Sequence, residues 1–252
     1  MNRIVLLIEY DGTAYAGFQL QPDMPSIQGE LENVLARIYQ TPVRIIPSGR
    51  TDTGVHALYQ VVHFDPPREL QRFNPKAALN SLLPSDIRIR SYCCRDGNFH
   101  ARYSAKERRY RYVIRQNETA LERDRAWQCF LPLDLETLQT CAAFLTGEHD
   151  FTSFCSAQAE TEHKRCIIFH SEWKRENDRL VYDIYGNRFL HSMVRSLVGT
   201  MVEAARGRIS SGEFLRILQA RDRISGAVSA PPQGLYLMYV AYDPPLDWEK
   251  EL

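Results

Sequence analysis

The run Ile4-Val5-Leu6-Leu7-Ile8-Glu9-Tyr10-Asp11-Gly12 decides the fold: five consecutive apolar residues, then a polar break and an Asp-Gly turn pair. A membrane-spanning helix needs roughly 18 apolar residues, so a run this short reads as a buried strand. After it, Ser26 is suited to cap a helix whose apolar stripe is Ile27, Leu31, Val34, Leu35 and Ile38. Residues 43–46 and 61–64 read as strands. Asn74-Pro75 opens a second helix that Pro84 and Asp86 stop, and residues 87–92 form another strand. The order is β-α-β-β-α-β, that of the ferredoxin-like split βαβ unit, with helices on one face of an antiparallel sheet.

The same order recurs further along. Residues 110–114 read as a strand, and Leu135, Leu138, Ala142 and Leu145 mark a helix with Gly147 as its C-terminal cap. Residues 167–169 and 180–185 are strands, and Leu190, Val194, Leu197, Val198 and Met201 form one helical face. Ser210 with Glu213 makes a capping box for an extra helix, and residues 235–242 supply the final strand. The expectation is an α+β protein of two related ferredoxin-like split βαβ units, residues 1–103 and 104–252. A largely antiparallel central sheet joins them, with a cleft between. Residue-level repetition is weak, so a single larger α+β domain is the alternative.

Composition narrows the class without choosing a function. At 44% apolar and 25% charged residues over 252 positions, the chain is neither disordered nor fibrous. The 31 basic and 31 acidic side chains cancel, so net charge makes no case for a nucleic-acid partner. Distribution does: residues 102–115 hold Arg102, Lys106, Arg108, Arg109, Arg111 and Arg115 against the single acid Glu107. The six cysteines contain no Cys-x-x-Cys pair and read as reduced thiols. Cys155, Cys166, His149 and His163 match no common zinc spacing, so no metal is expected. The N-terminus has no secretory pattern and no apolar run spans a bilayer, which makes a cytoplasmic protein the expectation.

The densest chemistry lies in Ser48-Gly49-Arg50-Thr51-Asp52-Thr53-Gly54-Val55-His56. If this backbone stays extended, Arg50 and Asp52 share a side, and the guanidinium favours the ionised carboxylate. That suits a nucleophile or electrostatic stabiliser; the competing reading is an ion pair that merely fixes a turn. The glycines at 49 and 54 leave room for unusual backbone angles or close substrate approach. No phosphate loop, no Gly-x-Ser-x-Gly elbow and no second acid accompanies Asp52. Glu9 and Asp11 are explained by a strand end and a turn, and His56 by a structural role.

In combination these residues resemble the TruA family of tRNA pseudouridine synthases. The resemblance is carried by Tyr10-Asp11-Gly12-Thr13 with Gly17-Phe18-Gln19, by Ser26-Ile27-Gln28-Gly29, and by Gly49-Arg50-Thr51-Asp52 with Gly54-Val55-His56. It continues through Phe99-His100-Ala101-Arg102-Tyr103-Ser104-Ala105, Arg109-Tyr110-Arg111-Tyr112, Asp150-Phe151-Thr152-Ser153-Phe154, Phe189-Leu190-His191 with Met193-Val194-Arg195, and Gly234-Leu235-Tyr236-Leu237.

The resemblance implies isomerisation of uridine to pseudouridine at positions 38 to 40 of the anticodon arm, by a homodimer that shares the tRNA. It implies Asp52 as the catalytic aspartate, Arg50 as its partner, Tyr110 against the target base and Arg195 entering from the second domain. Arg102, Arg109 and Arg111 are then candidate RNA contacts, and Tyr15 and Phe18 either stack on RNA or pack the first domain. The reaction consumes no water and removes no electrons from the substrate, so no cofactor is expected. Thr53, Tyr103 and Ser192 depart from the family pattern: Thr53 adds a hydroxyl beside the aspartate, and the other two read as packing adjustments. Residues 157–165 match loosely. An RNA-binding module without chemistry, or a nucleosidase releasing free uracil, are the alternatives.

Overall fold

A computed structural model describes residues 3–70, 73–156, 163–222 and 228–248. The chain divides into two compact units, one of Met1–Lys106 with Leu237–Leu252 and one of Glu107–Tyr236. Its elements in order are β1 (Arg3–Tyr10), α1 (Ile27–Tyr39), β2 (Ile46–Pro47), β3 (His56–Phe64), α2 (Pro75–Asn80) and β4 (Ile87–Arg95). Then come β5 (Ala105–Arg115), β6 (Trp127–Gln128), α3 (Leu135–Ala143), β7 (Gly147–Asp150), β8 (Arg165–Glu176), β9 (Arg179–Gly186), α4 (Met193–Ala205), α5 (Ser211–Ala220) and β10 (Leu235–Tyr242). The protein is α+β, and its strand pairs are mostly antiparallel. No helix among the described residues is long and apolar enough to cross a membrane.

In the first unit the strands run β4-β1-β3-β10, with β2 on β3. Val5, Leu6 and Ile8 of β1 are fully or almost fully buried, as a continuous apolar run in a central strand requires. Ser26 caps α1 by accepting the Gly29 amide at 3.2 Å. The helix buries Ile27, Leu31, Val34, Leu35 and Tyr39, so Tyr39 rather than Ile38 closes the stripe. Its ring meets Phe64 and Phe73 edge-on, at 6.1 and 5.8 Å. Burying Leu31 and Leu35 contributes about 2 kcal/mol each.

The strand expected over residues 43–46 is reduced to the two-residue β2, Ile46–Pro47, because a side chain of the preceding helix intervenes. Glu32 of α1 accepts the Ile45 amide at 3.1 Å and pairs with Arg44, taking a donor that a longer ladder would use. The sequence-based boundary also differs at the far end, where it assigned 235–252 to the second unit. Leu237 onward packs with the first: Tyr239 lies 4.6 Å from the Tyr59 ring, Trp248 donates to Tyr59, and Tyr242 donates to the Ala101 carbonyl.

In the second unit the order is β5-β9-β8-β7, with β6 parallel to β5. Alternation along β5 buries Arg108, Tyr110, Tyr112 and Ile114 on one side and leaves Arg109, Arg111 and Val113 on the other. On the buried side Trp173 stacks on Tyr182 at 5.0 Å and donates to Met201 of α4, a helix buried over most of its surface. The Ser210–Glu213 capping box forms as read. Gly147 does not cap α3: that helix ends at Phe144, and Gly147 begins β7, a polar strand that periodicity misses.

His63, on β3, is buried, and its Nε2 meets no hydrogen-bond partner among the described residues. Burial, reinforced by Arg3 and His100, pushes its pKa down to about 4. Above the ordinary value both folded and unfolded states hold a neutral ring. Below it the unfolded chain takes up a proton that the fold refuses, so stability falls with pH from about 6.5 to 4, by up to about 3 kcal/mol. His63→Gln should therefore flatten that part of the stability profile in urea titrations at pH 7, 5.5 and 4.5. An unchanged slope would rule out this linkage.

Candidate functional site

The segment 48–55 leaves β2 and returns to β3 as an irregular loop, held by buried polar groups of β1 and β3 and by the backbone at Phe18. At its start Ser48 donates to the Gln60 side-chain oxygen at 2.6 Å, and the Gln60 amide donates to the Gly49 carbonyl at 2.8 Å. Gln60 is completely buried, and this pairing satisfies the polar group that burial would otherwise penalise. In the middle, the Thr51 hydroxyl lies 2.8 Å from the Tyr10 hydroxyl, and the Thr51 carbonyl accepts the Phe18 amide at 3.0 Å. At its end the Asp52 carbonyl accepts the Val55 amide at 3.1 Å, closing a turn through Thr53 and Gly54.

Two glycines outside the loop make room for it. A Cβ on Gly12 would fall 2.0 Å from the Val55 carbonyl oxygen. Gly17, with φ +101°, would place one 2.8 Å from the Thr51 carbonyl oxygen. The family-like Tyr10-to-Phe18 stretch is thus the wall on which the loop rests. Tyr15 and Phe18 are core residues of that wall, Tyr15 donating to Asp86 at 2.6 Å. Asp11 accepts from the Thr13 amide and hydroxyl as a turn former. His56 is buried and accepts the Gly12 amide on Nδ1 at 3.1 Å, a structural use.

On this support Asp52 is half-buried, Arg50 and Thr53 are exposed, and Thr51 is buried. The residue types alternate between solvent and core, leaving a carboxylate at the boundary where it can meet a ligand. Arg50 lies in water, which weakens its field on any neighbouring carboxylate.

The remaining expected residues belong to the second unit, except Arg102. Tyr110 is buried on β5, with its ring 5.1 Å from Phe189 at 79°. Arg195, in the first turn of α4, donates from Nε to the Ala230 carbonyl at 2.9 Å, while its own carbonyl accepts the Ala230 amide. This two-way tie fixes the arginine stem against segment 228–230. The Thr200 hydroxyl ties the same segment through the Val228 amide.

The basic stripe is less positive than its sequence. Arg111 pairs with both carboxylate oxygens of Asp183 at 2.9 Å, Arg109 pairs with Glu107 and lies over the Tyr185 ring, and Arg115 is held by Glu122 and Asp178. Asp183 of β9, Asp178 of the turn before β9 and Glu122 of the segment before β6 all lie outside residues 102–115, so the count of one opposing acid missed them. Residues 157–162 of the loosely matching region lie outside the described residues. Of the family departures, Tyr103 is 76% exposed, so it does not adjust core packing. Ser192 sits before α4 with φ 60° and makes no side-chain cap bond.

A family model described as tRNA pseudouridine synthase matches residues 6–104 and 141–243. Curated proteins named tRNA pseudouridine synthase A align along nearly the full chain. That from Exiguobacterium sp. is 44% identical over 243 residues, covering 96% of this chain and 99% of its own. That from Halalkalibacterium halodurans is 44% identical over 238 residues, with 93% and 90% covered. That from Bacillus subtilis is 40% identical over 245 residues, with 96% and 99% covered.

Proposed function

This chain belongs to the tRNA pseudouridine synthase family, isomerases that convert uridine in tRNA to pseudouridine, and on that premise we propose that Asp52 starts the reaction, on uridines at positions 38 to 40 of the anticodon arm. The observation that carries the role of Asp52 is its half-buried place in a loop that Gln60, Tyr10, Phe18 and Gly12 pin on all sides. A carboxylate held so costs little reorganisation when it meets substrate.

The target uridine is flipped from the stack, because C1′ and C5 are inaccessible within it. Asp52 promotes cleavage of the N1–C1′ bond, by attack at C1′ or by removing the C2′ proton. The uracil stays, turns and bonds through C5 to C1′; C5 loses its proton and N1 regains one, so atoms balance without water or an oxidant. In this reading Tyr110 positions the base. Arg195 supports the reacting group, and Arg50 assists Asp52. Arg102, Arg109 and Arg111 meet the RNA backbone. Of its five N–H donors, Arg111 commits two to Asp183 and keeps three clear of it. The active species is proposed to be a cytoplasmic homodimer, in which the unit of residues 1–106 and 237–252 carries the aspartate and the unit of residues 107–236 completes the RNA site.

The test is to incubate purified protein with unmodified tRNA transcripts and map pseudouridine at single-nucleotide resolution. Product at positions 38 to 40 is expected, with all uracil still attached to RNA. Product confined to another arm would overturn the position, and free uracil would overturn the isomerase chemistry of this chain.

A further inference from the structure

We propose that Tyr103, backed by His100 and flanked by Arg102, is a stacking site for an unpaired base of the tRNA other than the target uridine. The proposal rests on the reading that this chain acts on tRNA. Tyr103 is 76% exposed, against 57% for Phe130 and 49% for Phe169, the other exposed phenyl or phenol rings among the described residues. A lone exposed ring is ordinary on a protein surface, but the setting of this one is not.

Four hydrogen bonds build the turn that carries it. Ser104 N donates to the His100 carbonyl at 2.8 Å, and His100 N donates to the Ser104 hydroxyl at 3.0 Å. The Arg102 and Tyr103 amides both donate to His100 Nδ1, at 3.2 and 3.3 Å. Accepting at Nδ1 makes that imidazole neutral, with its proton on Nε2. Burial, with Arg3 and Arg102 nearby, also holds its pKa below the ordinary histidine value. The His100 and Tyr103 rings lie 4.3 Å apart at 33°, and the Arg102 guanidinium carbon is 5.6 Å from the Tyr103 centroid.

The neutral His100 ring lies against Tyr103 and the Arg102 guanidinium reaches over it, yet most of the ring still faces solvent, so it keeps a stacking surface for a base with a cation close enough to meet a phosphate, the parts of a single-stranded RNA site. Because the turn is already ordered, little conformational entropy is lost when a base arrives.

The place of the turn shows which base it can serve. Ala101 donates its amide to His63 Nδ1 at 3.1 Å, which sets the turn beside the end of β3. The loop carrying Asp52 joins the beginning of β3 at His56, seven residues earlier, roughly 20 Å along a strand at about 3.3 Å per residue. Tyr103 therefore meets RNA away from the nucleotide at Asp52, and its loss should be read in binding rather than chemistry.

Tyr103→Ala should raise both KM and Kd for an unmodified tRNA transcript about 5- to 150-fold, with kcat and Tm unchanged, while Tyr103→Phe stays within about twofold of the parent. Phe130→Ala serves as the control for losing an exposed ring. Binding by Tyr103→Ala within about twofold of the parent, or equal losses for Ala and Phe, would overturn the stacking site. Failure of the unsubstituted protein to form pseudouridine in tRNA would instead remove the reading beneath it, so the two failures are distinguishable.

Discussion

Asp52→Asn is expected to lower pseudouridine formation by about 10⁴-fold or more, the scale seen when a group that acts only in the transition state is removed. Asparagine keeps the shape and loses the negative charge. The loop should survive the change, because its ties run through other atoms: the Asp52 backbone carbonyl to Val55, the Thr51 hydroxyl to Tyr10, and the Gly49 carbonyl to Gln60. Binding of unmodified tRNA, measured by filter retention, should then stay within a few fold of the parent, and thermal unfolding should be unchanged. Single-turnover kinetics with uridine tritiated at C5 provides the readout, since forming the C5–C1′ bond releases that label to water. Tritium release at near-normal rate from Asp52→Asn would remove the aspartate from the chemistry. The same measurement on Arg50→Ala should show a much smaller loss, because Arg50 is exposed and water screens its charge.

Local patterns proved legible where their cause is local. The Ser26 and Ser210 caps, the α1 stripe from Ile27 to Leu35 and the last strand depend on residues within one turn or one strand of each other, and each stands where the sequence put it. What was not legible depends on partners far along the chain. β2 is short because Glu32 takes the Ile45 amide. The stripe 102–115 looked positive because Asp183 and Asp178, which pair with Arg111 and Arg115, lie more than sixty residues further along. Tyr103 read as a packing variant because sequence carries no measure of exposure. Asp52 itself could be singled out from its neighbours, whereas the Gln60 clamp could not: a lone glutamine in an apolar strand has no motif until its partners are seen.

The support of the loop gives the second large effect, and here the structure relocates what the sequence emphasised. Gly49 borders the loop, and the sequence reading gave it a special backbone role. Yet a Cβ there would meet nothing within 4 Å, and its φ is not among the positive values. Gly12, forty residues upstream of Asp52, is the constrained position. A Cβ on it would overlap three backbone atoms of Val55, the nearest at 2.0 Å, and backbone cannot swing aside as a side chain can. The same residue also supplies the amide that His56 accepts, so any retreat of Gly12 from Val55 strains a buried hydrogen bond. Gly12→Ala should therefore push the 52–55 turn off its wall, costing about 2 kcal/mol or more of stability. Turnover should fall at least about 100-fold with Asp52 still present, since a displacement near 1 Å suffices for such a loss. Gly49→Ala, closer in sequence to the aspartate, should keep nearly full turnover and an unchanged Tm. The comparison separates a loop that works by composition from one that works by placement. If Gly12→Ala turns over like the parent, or if Gly49→Ala is the worse of the two, the wall formed by residues 10–18 does not set the position of Asp52.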